Sequence, residues 1–332
     1  MPSMPQPDGQ GRWLTPSEFL EHAASHSNLD GYRGLLSCVP KFNEILPRSI
    51  PVADGLPELR ISTLGAVEAV ASELMYTVVV SQGLMDLALR VGQTAEPILL
   101  DAGMPLAFGA QTTAVFFFLW AYGHEVVHLV RRHALLVTQF GDNRGTRLAT
   151  EFDADLCAAT SVYRTVRVLR PEVPPLACKE MTLVGLFWAM RTLADTDRPT
   201  EELGEHPEFA TRIIDISQKL AMVEDFGNPD PLFERDETRA HFAALNEKMW
   251  QLEQLYVRHL DTGADLSGSA ILKFVQTEYL SPRMIDRHEV WDKMQPVVQN
   301  LASLPRSFVG NEVSIPLLMD ITDDGLKVRR IV

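Results

Sequence analysis

This sequence is poor in cysteine, has no excess of positive charge and contains no apolar run of membrane-spanning length. Three cysteines, Cys38, Cys157 and Cys178, in 332 residues are too few and too unevenly spaced for a disulfide framework or a cysteine-rich zinc site. A reducing, cytoplasmic location is therefore expected, with the thiols serving as buried apolar groups. Lys and Arg total 30 against 44 Asp and Glu, a formal charge of −14. That balance argues against general nucleic-acid binding or an anionic membrane surface, because both call for basic excess. The opening "MPSMPQPDGQGR" shows no basic region leading into an apolar one, so no secretory leader is expected. The most apolar run, "TTAVFFFLWAYG" from Thr112 to Gly123, falls short of the roughly 20 residues a span needs and leads straight into His124 and Glu125. It reads as a buried helix, and no integral membrane segment is expected. Internal repeats and low-complexity tracts are also missing.

What is present is mostly helical pattern with a minor strand component. "TPSE" offers Thr15 as N-cap, Pro16 at the first helical position and Glu18 to close a capping box, predicting a helix to about Ala24. Residues 40–59 carry four prolines and read as an irregular connection. In "ISTLGAVEAVASELM", Leu64, Val67, Val70, Ala71 and Leu74 recur at helical spacing, so a helix is predicted there. "YTVVVSQGLMDLALRVG" begins as a strand, turns at Gly83 and continues as a helix. Helical pattern then runs from Thr112 to about Val137, is broken by "QFGDNRG", and resumes in "TRLATEFDADLCAATSVYRTVRVLR" and "KEMTLVGLFWAMRTLAD". Further helices are predicted from near Pro207 and over 235–260, the latter with Phe242, Leu245, Met249, Leu252 and Leu255 at core spacing. A terminal hairpin is expected to turn at Asp324-Gly325.

The chemistry concentrates in "HEVVH". On a helix His124 and His128 share a face and can aim both imidazoles at one ion, while Glu125 lies about 100° round, within reach of a water bound to that ion. This is the H-E-x-x-H arrangement of zinc peptidases, with glutamate as general base. Two internally satisfied histidines in a core helix are the competing account. Against it, three ionisable groups placed directly after "VFFFLW" are costly to desolvate without a partner, and a metal ion is a natural one. His133, five residues past His128, would point about 140° away on a continuous helix, with no glycine to bend the chain back, so it makes a poor third ligand. "ATEFDADLCAA" places Glu151 and Asp155 at i and i+4 on a second helix. Glu151 is the expected third ligand, and Asp155 is expected to accept from a liganding histidine and fix its tautomer, with Asp155 as ligand the alternative. Asp153 points elsewhere on that helix and reads as a surface or outer group.

"HEVVH" with "EFDAD" resembles the gluzincin branch of zinc metallopeptidases, in which E-x-x-x-D on a later helix completes the centre. "VVVSQGLMDL", "HEVVHLVRRH" and "HPEFATR" are further similar, in order, to segments of the CAAX prenyl endopeptidase and HtpX-type peptidase family. The resemblance covers roughly residues 75–220 and departs from that family in lacking transmembrane helices. A runner-up resemblance is to soluble phage-exclusion proteases such as Lit, on the zinc motif alone. The resemblance implies an α+β, mostly helical fold with a zincin-like core, a metal-bearing helix and a small sheet whose edge strand, near Val78 to Val80, receives substrate backbone. It also implies that His206 or Arg212 stabilises an oxyanion or holds substrate, and that His133 lies outside the ligand shell, lining the cleft rim or capping a helix end. The expected organisation is an N-terminal tail and helical segment (1–70), a metallopeptidase core (71–225) and a helical C-terminal region with a hairpin (226–332). The expected activity is Zn²⁺-dependent endopeptidase action on a protein or peptide substrate. The alternative is a zinc-containing regulatory or binding module.

Overall fold

The computed structural model describes residues 11–53, 55–107, 111–196, 209–223, 236–259, 271, 289–298, 317–322 and 325–330. After the two-residue strand β1 (Trp13–Leu14), helix α1 (Pro16–His22) starts on the expected capping box. The Thr15 hydroxyl accepts the Glu18 N–H at 3.3 Å, and Glu18 Oε2 accepts the Thr15 N–H at 2.8 Å. Helices α2 (Leu29–Ser37) and α3 (Val39–Ser49) follow. The second corrects the irregular connection expected over 40–59. Pro40 lies in the first turn of α3, where its missing N–H costs nothing, and Pro47 lies in the last, while Val39, Phe42, Ile45 and Leu46 bury one face.

The segment expected to be helical over 61–75 forms instead the end of β2 (Glu58–Ser62), a connection, and β3 (Ala69–Ser72). Its apolar residues do not form a buried stripe: Val67, Val70 and Leu74 are exposed, Leu74 at 94%. Strand β4 (Thr77–Ser81) pairs in parallel with β2, Glu58 opposite Thr77 through Ser62 opposite Ser81. On its other side it pairs antiparallel with β3, Ala69 opposite Val80. The sheet order is β1-β2-β4-β3. Val78–Val80 is therefore not an edge but the buried middle of the sheet, as a continuous apolar run suggests once a partner exists on each side. Among the described residues the edge strands are β3 and the two-residue β1.

Ser81 caps α4 (Gln82–Asp101) by accepting the Leu84 N–H at 3.1 Å. Gly83 lies inside this helix, where a Cβ would come within 2.2 Å of the Gly65 carbonyl oxygen. Close approach of the β2–β3 connection, not a turn, thus requires glycine there. Helix α5 (Thr112–Val130) is buried almost all round, packed by α4 and by α7 (Arg144–Leu169) and α8 (Pro175–Thr196). At 19 residues it is long and apolar enough to cross a membrane, so the expectation of a run too short to span understated the helix; 89% of its most apolar window lies inside the protein. Nor does it continue to Val137. Arg132 takes a left-handed conformation (φ 57°, ψ 48°), and a separate helix α6 (His133–Phe140) begins there.

Helices α9 (Phe209–Met222) and α10 (Asp236–His259) pack on each other and on α8, with Leu245, Met249 and Leu252 of α10 buried but Phe242 exposed. One apolar core joins Phe19, Val80, Phe117, Tyr163, Trp188 and Leu252. A smaller one joins Leu136 and Ala149 to Met294, Val297 and Val298 of the helical segment 289–298. Strands β5 (Leu317–Thr322) and β6 (Gly325–Arg330) form the expected hairpin, with Gly325 opening the second strand opposite Thr322; Asp324 lies outside the described residues. The fold is α+β, mostly helical, with a small mixed four-stranded sheet.

Candidate metal centre

Helix α5 delivers His124, Glu125 and His128 near its C-terminal end, and α7, packed along it, delivers Glu151 and Asp155. Gly123 makes room on α5 for the Phe42 ring of α3, which a Cβ there would meet at 2.6 Å, while Ala158 of α7 would be in ordinary contact at 3.5 Å. The α7 N-terminus is fixed by Asn143, whose side-chain oxygen accepts the Thr146 N–H at 3.0 Å. Asparagine in the "FGDNRG" breaker is thus the cap that sets where Glu151 falls.

The structure brings His124, His128 and Glu151 together. Nε2 of His124 and Nε2 of His128 are 3.0 Å apart, and the Glu151 oxygens stand 3.2 Å from the first and 3.3 Å from the second. Ligand atoms 2.0–2.1 Å from a tetrahedral ion stand about 3.3 Å from one another, so this donor set fits zinc in type and spacing.

Each imidazole is held from behind. Nδ1 of His124 is 2.9 Å from Asp155 Oδ1, and a carboxylate only accepts, so Nδ1 carries a proton and Nε2 is the nitrogen turned toward the site. Asp155 in turn accepts two bonds from Arg212, Nε to Oδ2 and Nη2 to Oδ1, each 2.7 Å. The guanidinium lies over the Trp120 ring, 4.9 Å from its centroid. Arg212, expected at an oxyanion or substrate, is thus bound to Asp155. His206 lies outside the described residues.

His128 is backed differently. Its Nδ1 is 2.8 Å from Nδ1 of His133, whose Nε2 is 3.1 Å from Asp153 Oδ2. Asp153 also pairs with Arg131, and Arg131 stacks 5.8 Å from the Trp291 ring centroid in the segment 289–298. Two expectations are corrected here. His133 neither lines a rim nor caps a helix end but is buried, because the left-handed Arg132 folds the chain back without a glycine. Of the two readings of Asp153 the surface one falls and the outer-group one holds: it is buried between a histidine and an arginine. Neither Arg131 nor Trp291 was singled out from the sequence; "HLVRRH" held the one local signal, basic residues too close to the apolar core to be solvated.

The electrostatics follow from these contacts. Burial disfavours a charged His124, yet the charges of Glu151 and Asp155 outweigh it and raise the imidazole to about 10, so the site draws positive charge strongly to Nε2. Burial pushes His133 down to about 4 despite Asp153, keeping it neutral. Asp155 and Asp153, which burial alone would raise, are both held below the ordinary carboxylate range, the first by Arg212 and His124, the second by His133 and Arg131. Burial and the nearby Asp153 charge raise the Cys157 thiol to about 12, which makes it unreactive. Glu125 is half-buried, and its carboxylate makes no hydrogen bond or ion pair with another described residue.

Comparison with protein-family models, curated proteins and solved structures gives no match to this chain.

Proposed function

We propose that this protein is a zinc-dependent endopeptidase with a zincin-like core, resembling the gluzincins, in which His124, His128 and Glu151 hold the metal. The observation that carries the reading is the convergence of two imidazole nitrogens and a carboxylate at 3.0, 3.2 and 3.3 Å, with His124 tied behind by an acceptor-only carboxylate. Groups of this kind turned on one point bind positive charge between them, and their type and spacing suit zinc. A zinc ion held by these groups supplies Lewis acidity, bringing the pKa of a water toward about 7 and polarising a peptide carbonyl. Glu125, beside the first ligand and free of other described partners, takes the proton from the attacking water and passes it to the leaving amine nitrogen. Asp155 and Arg212 keep the His124 ring oriented through this cycle.

The substrate-binding edge passes in this reading from β4 to β3, whose outer side has no described partner strand and which packs against α5. An extended peptide added there would bond through its backbone, giving affinity with little sequence preference. The expected result is about one zinc per purified chain, with Glu125→Gln retaining zinc and losing at least a thousandfold of its hydrolytic rate. New N-termini produced in a protein mixture by the wild type and not by Glu125→Gln would identify the substrate. Full activity in Glu125→Gln would remove the mechanism, and zinc retained without cleavage of any protein would favour the regulatory module.

A further inference from the structure

We propose that Asp153 and His133 form a relay that holds His128 in the tautomer a metal ion requires, which makes His133 a positioning residue of the candidate centre. This rests on His128 being a ligand, as argued above.

The contacts fix where the protons go once His128 binds an ion. Asp153 accepts only, so the His133 nitrogen 3.1 Å from it, Nε2, carries a proton. It is Nε2 of His128 that faces His124 and Glu151, so a liganding His128 has Nε2 bare and its proton on Nδ1. That proton is donated to Nδ1 of His133 at 2.8 Å, with the rings nearly perpendicular at 87°. The far end is anchored by Arg131, which keeps Asp153 ionised and is itself covered by Trp291.

The backbone shows that this arrangement is imposed. On a continuous helix His133 would point about 140° from His128. Arg132 instead adopts φ 57°, a conformation that strains any residue with a Cβ and persists only where the surroundings enforce it. What it accomplishes is to return His133 to the back of His128. A packing role alone would be met by any apolar side chain of similar size, with no buried carboxylate or arginine behind it.

The test measures zinc affinity of the full chain by competition with a chromophoric chelator, beside thermal unfolding of the chelated protein. His133→Leu is expected to bind zinc ten- to a hundredfold more weakly, the range seen when a partner behind a ligand is lost. His133→Asn, whose side-chain oxygen can sit near the Nδ1 position, should recover most of that loss, and Asp153→Asn should fall between. ¹⁵N spectra of zinc-loaded wild type should show the His128 proton on Nδ1. Affinity unchanged within twofold in His133→Leu, or the His128 proton on Nε2, overturns the relay while leaving the centre intact. If His133→Leu fails to fold, His133→Asn and the wild-type spectrum decide. A wild-type chain that takes up no zinc overturns the centre, and the relay with it.

Discussion

The two histidines of α5 are held by two differently built supports. Behind His124 the chain places a carboxylate directly, then an arginine, then the face of Trp120. Behind His128 it places another histidine first, then the carboxylate, the arginine and the face of Trp291. The sequence of groups outward is otherwise the same: acceptor, cation, aromatic lid. Both carboxylates come from α7, so the difference lies in reach. Asp155 meets His124 directly and no adaptor is needed. For His128 the carboxylate is one ring further away, and the left-handed turn at Arg132 between α5 and α6 provides the spacer. A buried imidazole therefore needs a defined acceptor behind it more than it needs a particular residue type there.

Three perturbations probe that comparison, in order of expected effect. Asp155→Asn removes the buried charge shared by His124 and Arg212. A loss of about 3 kcal/mol is expected in denaturant unfolding of the chelated protein, together with weakened zinc binding. If that loss is no greater than for Asp153→Asn, the direct support is not the stiffer one. Arg212→Lys keeps the charge but loses the two-pronged grip and the stacking on Trp120; about 1–2 kcal/mol is expected, measured in the same way. No effect would mean that charge alone holds Asp155.

The smallest effect is expected at the opposite end of α5, away from both supports. Glu96 of α4 accepts the Thr113 N–H at 3.1 Å, and burial raises its carboxyl to about 7. Its folded-state pKa is above the unfolded value near 4.3, so the folded protein binds the extra proton. Stability is therefore lost as pH rises from about 4.3 through about 7. Glu96→Gln keeps the acceptor without the charge and should raise the melting temperature at pH 8 and leave it almost unchanged at pH 4. A gain equal at both pH values would show that charge is not the cause, and a change in zinc affinity would show that the two ends of α5 are coupled.

How far the sequence disclosed this site depended on locality. His124, His128, Glu151 and Asp155 follow from residues four apart on regular helices, whose geometry is known before any fold is. His133 and Asp153 were legible only as groups outside the ligand shell; their meeting behind His128 did not follow, because it depends on one left-handed residue, and arginine gives no sign of that conformation. The same limit governed the fold. The Thr15 cap was legible because every partner lies within four residues. Strand β3 was not, because Val67, Val70 and Leu74 share helical spacing by coincidence, and only pairing with β4 reveals the strand. Prolines misled over 40–59, since Pro40 stands where a helix tolerates it and the spacing of Phe42, Ile45 and Leu46 carried the stronger signal.

That no described strand covers the outer side of β3 has a further consequence. A strand edge of this kind, with Val70 exposed on it and Val67 and Leu74 exposed nearby, does not discriminate between a foreign peptide and another copy's β3. What opposes such self-recognition is the formal charge of −14, which repels identical molecules at low ionic strength and is muted as salt is added. Concentrated protein in high salt is where copies would begin to occupy one another's edges.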